Sequence, residues 1–396
     1  MKTTKKLFGI ALVVIILCSF YGCNASKIQI NTNQKSETYI EKEDYQNYLD
    51  LYSNMAKTDI GYYFINNSYL YYFDNESQET MLVCSKANCK HNDDNCTAYF
   101  SLFNYYPIQL SYYDNALYLL GWESEGANIH HNYIYQISLD NFKRRKAVYI
   151  GSSNGLSSTV FLIHRGNVYY ITESNTMKET TAVVYCKQLG NTDRKDNGEV
   201  VFEYTGIGAK VDGISAYGNN LFVSLSSYKN EEGDGYTSLF YSVNIHTLES
   251  KCIFDNNKFA AYADENYVYY EKNENIVNRL DLKTNKEEFF CNIEGPAYVS
   301  ADSQYIYFDN LQSVYIDRTD AKDRKIFIYD KTGKYITEIT PKNPNDDCYF
   351  GGNDIMFFKE ITDDGSEQYY AIDKTKLIQG ETDYIDMGLY GITKGI

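Results

Sequence analysis

From Met55 onward the chain alternates short aromatic-rich apolar strands with polar turns, and the same unit recurs. Seven stretches mark the copies: Gly61-Tyr62-Tyr63-Phe64, Ala116-Leu117-Tyr118-Leu119, Asn167-Val168-Tyr169-Tyr170, Asn220-Leu221-Phe222-Val223, Tyr267-Val268-Tyr269-Tyr270, Tyr305-Ile306-Tyr307-Phe308 and Ile355-Met356-Phe357-Phe358. Six of them follow a tight polar turn: Asp114-Asn115, Arg165-Gly166, Gly218-Asn219, Asp264-Glu265, Asp302-Ser303 and Asn353-Asp354. These residue types tolerate the positive φ of short hairpins. A strand ending in Asp comes next in several copies, as at Asp74, Asp140, Asp281 and Asp330, and a last apolar strand closes the unit. Asp at a strand end starts a turn by accepting from its own backbone.

Residues 55–396 number 342, about 49 per unit. Four strands repeated at that period predict the blades of a β-propeller. The fold class expected is therefore all-β, a single propeller of seven four-stranded blades over 55–396. Longer polar insertions fall between second and third strands, at 123–131, 173–180, 227–237 and 310–322. They predict one elaborated face, shared with the connections between blades, and one plain face. Loops carried on a rigid frame are where binding usually resides.

The N-terminus reads differently. Lys2, Lys5 and Lys6 precede an apolar run from Leu7, and Gly22-Cys23 ends it. This is the pattern of a secretory signal over 1–22, and the run falls short of the roughly 20 residues that span a bilayer. Gly22-Cys23 resembles the end of a bacterial lipobox, which implies cleavage before Cys23 and lipid on its thiol. Phe20 and Tyr21 stand where Leu and a small residue are commoner. Residues 23–54 are expected to form a polar tether, then a short lead-in in which Tyr45, Tyr48, Leu49 and Tyr52 fit one face of a helix or an aromatic linker.

Composition narrows the partners. There are 42 Tyr, 20 Phe, one Trp and four Pro, a balance that favours strands. With 37 basic and 53 acidic residues the net charge is −16, and loss of the three Lys in 1–22 takes it to −19. That argues against nucleic acid and against a peripheral grip on anionic lipid.

The densest chemistry is Cys84-Ser85-Lys86-Ala87-Asn88-Cys89-Lys90-His91-Asn92-Asp93-Asp94-Asn95-Cys96, in the connection from the first blade to the second. Three soft thiolates and an imidazole make a candidate metal set of Cys84, Cys89, His91 and Cys96, suited to structural zinc. A disulfide between two of the three Cys is the equal alternative, since export allows it. Thiols lowered by Lys86, Lys90 and His91 for redox work are a third. The remaining Cys186, Cys252, Cys291 and Cys348 lie in or beside apolar strands and are expected to be buried small hydrophobes.

The lipoprotein start, the strands at 61–64 and 71–74 and the Cys84-Ser85-Lys86…Cys89-Lys90-His91 stretch together resemble β-propeller lipoproteins of anaerobic Gram-positive bacteria. Ala87 stands where that family carries Pro. The resemblance implies a propeller on a lipid anchor and implies no particular activity.

No catalytic residue is assigned. The sequence lacks a nucleophile elbow, HExxH and a phosphate loop. His130-His131, His164 and His246 read as surface or structural histidines, and the acidic runs at 231–234 and 363–365 as solvated turns. The expectation is a membrane-tethered module, lipid-anchored at Cys23 outside the cytoplasm, that binds a protein, peptide or glycan. The rivals are a glycan hydrolase with carboxylates at the channel, and a metal- or redox-responsive surface protein.

Overall fold

The computed structural model describes Ile40, Glu43, Asp44 and residues 54–387, except 85, 94, 102–104, 127–128, 154–159, 172–177, 234, 257–260, 265, 274, 294–297, 311–323, 344–345, 350–351, 353 and 362–366. The signal segment, Cys23, the lead-in around Tyr48 expected as a helix or an aromatic linker, and the acidic run at 363–365 lie outside the described residues.

Every sheet is antiparallel, with strands in chain order. Unit one is β1 (Met55–Lys57), β2 (Gly61–Asn66), β3 (Tyr69–Asp74) and β4 (Thr80–Leu82). Unit two is β5 (Tyr105–Tyr113), β6 (Ala116–Glu125), β7 (Ile129–Ser138) and β8 (Arg144–Ser153). A seven-stranded sheet follows: β9 (Phe161–His164), β10 (Asn167–Ile171), β11 (Glu179–Gln188), β12 (Glu199–Tyr217), β13 (Asn220–Tyr228), β14 (Tyr236–Asn244) and β15 (Ser250–Asn256). Unit five is β16 (Ala261–Ala263), β17 (Tyr267–Asn273), β18 (Ile276–Asp281) and β19 (Glu287–Asn292). Unit six is β20 (Tyr298–Ala301), β21 (Tyr305–Asp309), β22 (Ile326–Asp330) and β23 (Tyr335–Ile339). Unit seven is β24 (Asp347–Tyr349), β25 (Ile355–Ile361), β26 (Glu367–Asp373) and β27 (Tyr384–Asp386), with a short 3-10 helix at Lys374–Gln379.

The seven-stranded sheet departs from the expected four-strand rule. β12 pairs with β11 through Glu199–Ile207 and with β13 through Ile207–Tyr217, so it is the last strand of unit three and the first of unit four. Irregular register after Ile207 and Val211, with Gly208 at φ +56, bends the strand where elsewhere a connection breaks it. Two expected long loops also turn out to be ladder. β6 and β7 stay paired out to Glu125 and Ile129, and β13 and β14 out to Tyr228 and Tyr236. Polar composition there belongs to paired hairpin arms, not to irregular chain.

The aromatic strands are apolar on both faces because each serves two neighbours. Successive side chains of a strand point to opposite sides. In β2, Tyr62 and Phe64 pack with Phe357 of unit seven, while Tyr63 and Ile65 pack with Leu117 and Leu119 of unit two. In β21, Ile306 and Phe308 join Tyr269 of unit five, while Tyr305 and Tyr307 join Met356 and Phe358 of unit seven. Tyr118 and Leu120 meet Phe161 and Val168, and Phe222 and Phe240 meet Ala263 and Val268. Leu162 and Tyr169 meet Leu221 and Val223 inside the large sheet.

The turns obey the expected chemistry. Asp114-Asn115 and Arg165-Gly166 have positive φ at both residues (45°, 55° and 49°, 72°). Asp74, Asn244, Asp281 and Asp330 each accept backbone N–H groups two to four residues ahead.

Units six, seven and one also meet through a buried polar seam. Lys374 donates to Asp302 Oδ2 at 2.8 Å and to the Gly352 carbonyl at 2.7 Å, and both charged side chains are 0% exposed. Tyr307 donates to the same carboxylate at 2.5 Å. The Gly352 N–H donates to the Tyr62 hydroxyl at 2.8 Å, and Tyr62 donates to Asp354 at 2.6 Å. Asn75 completes the chain with a 2.6 Å bond to Asp354. Burial resists ionisation of Asp302, yet Lys374 and Tyr307 hold its carboxyl below the usual range. Burial likewise lowers Lys374, against the pull of Asp302.

Candidate metal centre

The connection from unit one to unit two is pinned at both ends before it carries any ligand. The Leu70 carbonyl accepts Val83 N–H at 3.0 Å, and Leu70 N–H donates to Ala98 at 2.8 Å. Phe100 N–H donates to Ser68 at 2.7 Å, and the Thr97 hydroxyl to Val83 at 3.2 Å. The stretch between is thus folded back against β3, with Cys84 and Cys96 at its neck. Inside it, Asn88 and His91 take positive φ (60° and 54°), and Cys96 N–H donates to Asp93 at 3.0 Å. Lys86 donates to the Asn95 carbonyl across the loop.

This geometry gathers the four expected side chains. One ligand atom from each of Cys84, Cys89, His91 and Cys96 lies within 4.8 Å of all the others, and His91 Nδ1 stands 3.2 Å from Cys96 Sγ. Tetrahedral zinc at about 2.3 Å from sulfur sets its thiolates about 3.8 Å apart. The set is therefore geometrically able to hold a metal ion, with no pair having to close by more than about 1 Å. No disulfide joins Cys84, Cys89 and Cys96.

The thiols are unequal. Burial pushes Cys96 up to about 12, against the Ala98 and Tyr99 N–H groups that lower it. Burial also resists ionisation of Cys84, but the Lys86 N–H, the Thr97 hydroxyl and the two other thiols leave it below its ordinary value. A cluster that shares protons in this way is one a cation can enter by displacing them.

Arg144, at the start of β8, supports the neck from unit two. It donates to the carbonyls of Cys96 and Thr97 at 2.9 Å and of Tyr99 at 2.6 Å. Its guanidinium lies over the Phe100 ring at 4.0 Å. Nothing in the sequence near Cys96 flags a residue 48 positions away.

The other candidates are dispersed. Cys291 is buried and Cys186 and Cys348 half-buried, but Cys252 is exposed, because Ile253 and Phe254 beside it in β15 take the contact with unit five. Burial raises Cys186 and Cys291 to about 12. His130 and His131 lie on β7; His131 Nε2 meets Glu125 at 2.6 Å and His130 Nδ1 meets Ser124 at 3.1 Å. His246 N–H donates to Asn244 in a turn. Of the run at 231–234, the described residues 231–233 turn with Gly233 at φ +81, its N–H donating to the Asn230 carbonyl at 3.2 Å. A groove of about 500 Å³ lies between units four and five, where Lys251 donates to Asn285 at 2.8 Å. Glu249 is the one carboxylate among its lining residues.

No family model matches the sequence, and no curated protein matches it. Among solved structures it is similar to the β-propeller domain of the Trilobed protease from Pyrococcus furiosus, at 14% identity over 73% of this chain and 85% of that one, TM-score 0.46. It is also similar to BamB from Moraxella catarrhalis, at 8% identity over 80% and 84%, TM-score 0.41. Sqt1 from Saccharomyces cerevisiae is 10% identical over 86% and 96%, TM-score 0.41. Likeness at this level bears on neither activity nor ligand.

Proposed function

We propose that the chain is a non-enzymatic binding or scaffolding module. In this reading seven units close as a β-propeller, lipid at Cys23 holds it to the outer face of the cell membrane, and zinc at Cys84, Cys89, His91 and Cys96 braces the first junction. A protein, peptide or glycan is the ligand class. The observation that carries the ring is the succession of apolar clusters, each joining one unit to the next and the last, through Tyr62, Phe64 and Phe357, to the first. Such a frame is rigid and leaves its hairpin arms to vary, which suits recognition. The S₃N donor set favours zinc over hard cations, and four protein ligands make the site structural, with no open position for substrate. The reading agrees with what the resemblance of its start and its Cys84–His91 stretch to propeller lipoproteins implies.

The test presents full-length, membrane-extracted protein with cell-wall glycan fragments and peptides and analyses what is recovered. Ligand retained intact supports a binding module. Cleaved ligand overturns it in favour of the hydrolase. In the same preparation a fatty-acid label should be present on the natural protein and missing from Cys23→Ser.

A further inference from the structure

Unit four meets unit five through apolar packing that stops short of the turns. Phe222 and Phe240 lie against Ala263 and Val268, with Phe254, Leu280 and Leu282 beside them. Toward the start of β13 the same face of unit four becomes polar, and the groove of about 500 Å³ opens there. Asn220 begins β13, Ser242 and Asn244 lie on β14, and Lys251 lies on β15. Leu280 and Leu282 stand on the side of unit five.

The opening has a cause in the repeat. The third residue of each aromatic stretch packs toward the next unit. Its partner on the third strand is Tyr72, Gln136, Arg279 or Ile328 in units one, two, five and six. In units three and seven it is small, Cys186 and Ala371, and both are packed into apolar clusters. Unit four pairs Phe222 with Ser242, which lines the groove instead. A serine leaves open the space that a larger side chain would take.

The polar lining is rich in donors. Asn244 Oδ1 accepts the His246 and Thr247 N–H groups at 2.9 and 3.0 Å. Asn285 Oδ1 accepts Lys251 Nζ at 2.8 Å, and Asn220 Oδ1 accepts the Ser242 hydroxyl at 3.4 Å. Each amide oxygen is thus engaged, and the three amide nitrogens have no partner among the described residues. Lys251 has no carboxylate within ion-pair reach among those residues either, in a chain with 53 acidic side chains.

The wall that carries Asn220 and Asn244 is held from behind. The two residues are paired across β13 and β14. The Asn219 carbonyl accepts Ile245 N–H at 2.9 Å, and Asn219 Oδ1 accepts Arg165 at 2.7 Å. Arg165 Nε in turn donates to the fully buried Asp44 at 2.5 Å, and Asp44 also accepts the Gly218 N–H at 3.1 Å. A wall fixed in this way loses little freedom when a ligand arrives.

We propose that this groove binds a sugar carrying one carboxylate, with Lys251 on the carboxylate, Asn220, Asn244 and Asn285 on hydroxyl or acetamido oxygens, and Leu280 and Leu282 against the ring. This rests on the binding-module reading and gives it a site and a ligand class. The volume lies within the range of about 300–1,000 Å³ usual for small-ligand sites. One cation, with Glu249 also in the lining, suits a single negative charge and disfavours phosphates or polyanions. Amide donors suit neutral oxygens, and the leucines suit the C–H face of a pyranose.

The experiment is equilibrium dialysis of full-length, membrane-extracted protein with N-acetylmuramic acid and with N-acetylglucosamine, which lacks the lactyl ether and its carboxylate. The acid should bind about tenfold tighter or better, the worth of one hydrogen bond to a charged group. Lys251→Met should remove that preference, and Ser242→Tyr, which places in unit four the side chain of Tyr72, should abolish binding of both sugars. Lys251 is exposed, so its variant decides the matter even where Ser242→Tyr disturbs the junction. An undiminished preference in Lys251→Met overturns the site. Equal binding of the two sugars by the unaltered protein overturns the ligand class. Binding of neither sugar, with wall fragments still retained, overturns the groove and leaves the binding module standing. Retention of no wall fragment at all overturns the module, and the groove with it.

Discussion

The connection at Cys84–Cys96 and the seam around Lys374 both fasten neighbouring units, by opposite means. The connection gathers four polarisable ligands from 13 consecutive residues, three of them half-buried and one buried. The seam gathers Tyr62, Asp302, Gly352 and Lys374 from three units, and its ion pair has no exposed surface. One holds a segment in shape, and a bound cation would do most of the holding. The other has already lost its water, so its charges depend on one another. The difference teaches that polar groups stabilise a junction in proportion to how badly they would fare without their partners.

The comparison breaks most sharply at Lys374. Lys374→Met leaves Asp302 buried beside Tyr307 without its cation, which is expected to cost about 3–5 kcal/mol. Adding Asp302→Asn keeps acceptors for the Gln304 and Tyr305 N–H groups while removing the charge, and should recover more than half of the loss. Urea unfolding of the single and double variants measures both. A single variant as stable as the unaltered protein would mean the seam is not load-sharing at all.

His164 probes the same physics without a full ion pair of its own. Burial holds its folded pKa down to about 4, against 6.5, while the Asp44 charge and the Gly218 carbonyl pull upward. Below pH 6.5 the unfolded chain therefore binds a proton that the folded chain refuses. Stability present at neutral pH is lost as pH falls from 6.5 towards 4, by roughly 3 kcal/mol. His164→Gln should flatten the dependence between about pH 7 and pH 4.5, and urea midpoints at those two values read it.

At the other region the effect should be local. Natural protein is expected to carry one zinc per chain, and Cys89→Ser none, by elemental analysis. Because all four ligands lie in one connection, stripping the metal should speed hydrogen exchange at Ala98 and Phe100 while barely moving the global unfolding midpoint. A zinc-free natural protein with a disulfide among Cys84, Cys89 and Cys96 would replace the metal with a covalent staple.

What the sequence made legible follows the same division. The seven aromatic strands were readable because alternation and turn chemistry are local. The metal set was readable because its members sit within one loop. Arg144, Asp44 and Lys374 were not, because each acquires its role from groups 48, 121 and 72 residues away, brought near only by the packing of units. The continuity of β12 across two units was not legible for a related reason: whether a strand ends or bends depends on what pairs with each half.

The most local device of all should matter least. Asp330 ends β22 and accepts the Thr332 N–H at 2.9 Å and the Lys334 N–H at 3.0 Å, with the Thr332 hydroxyl beside them at 2.6 Å. The site is largely open to solvent, so water replaces lost partners, and Asp330→Ala is expected to cost about 1 kcal/mol, near the value of a single net hydrogen bond. Asp330→Asn keeps the acceptor and should cost still less. Asp330 has two features in common with Asp302, a carboxylate and a turn to cap, and differs in burial. If Asp330→Ala proved as damaging as Lys374→Met, burial would not be what separates the seam from the rest of the molecule, and the turn itself would have to be.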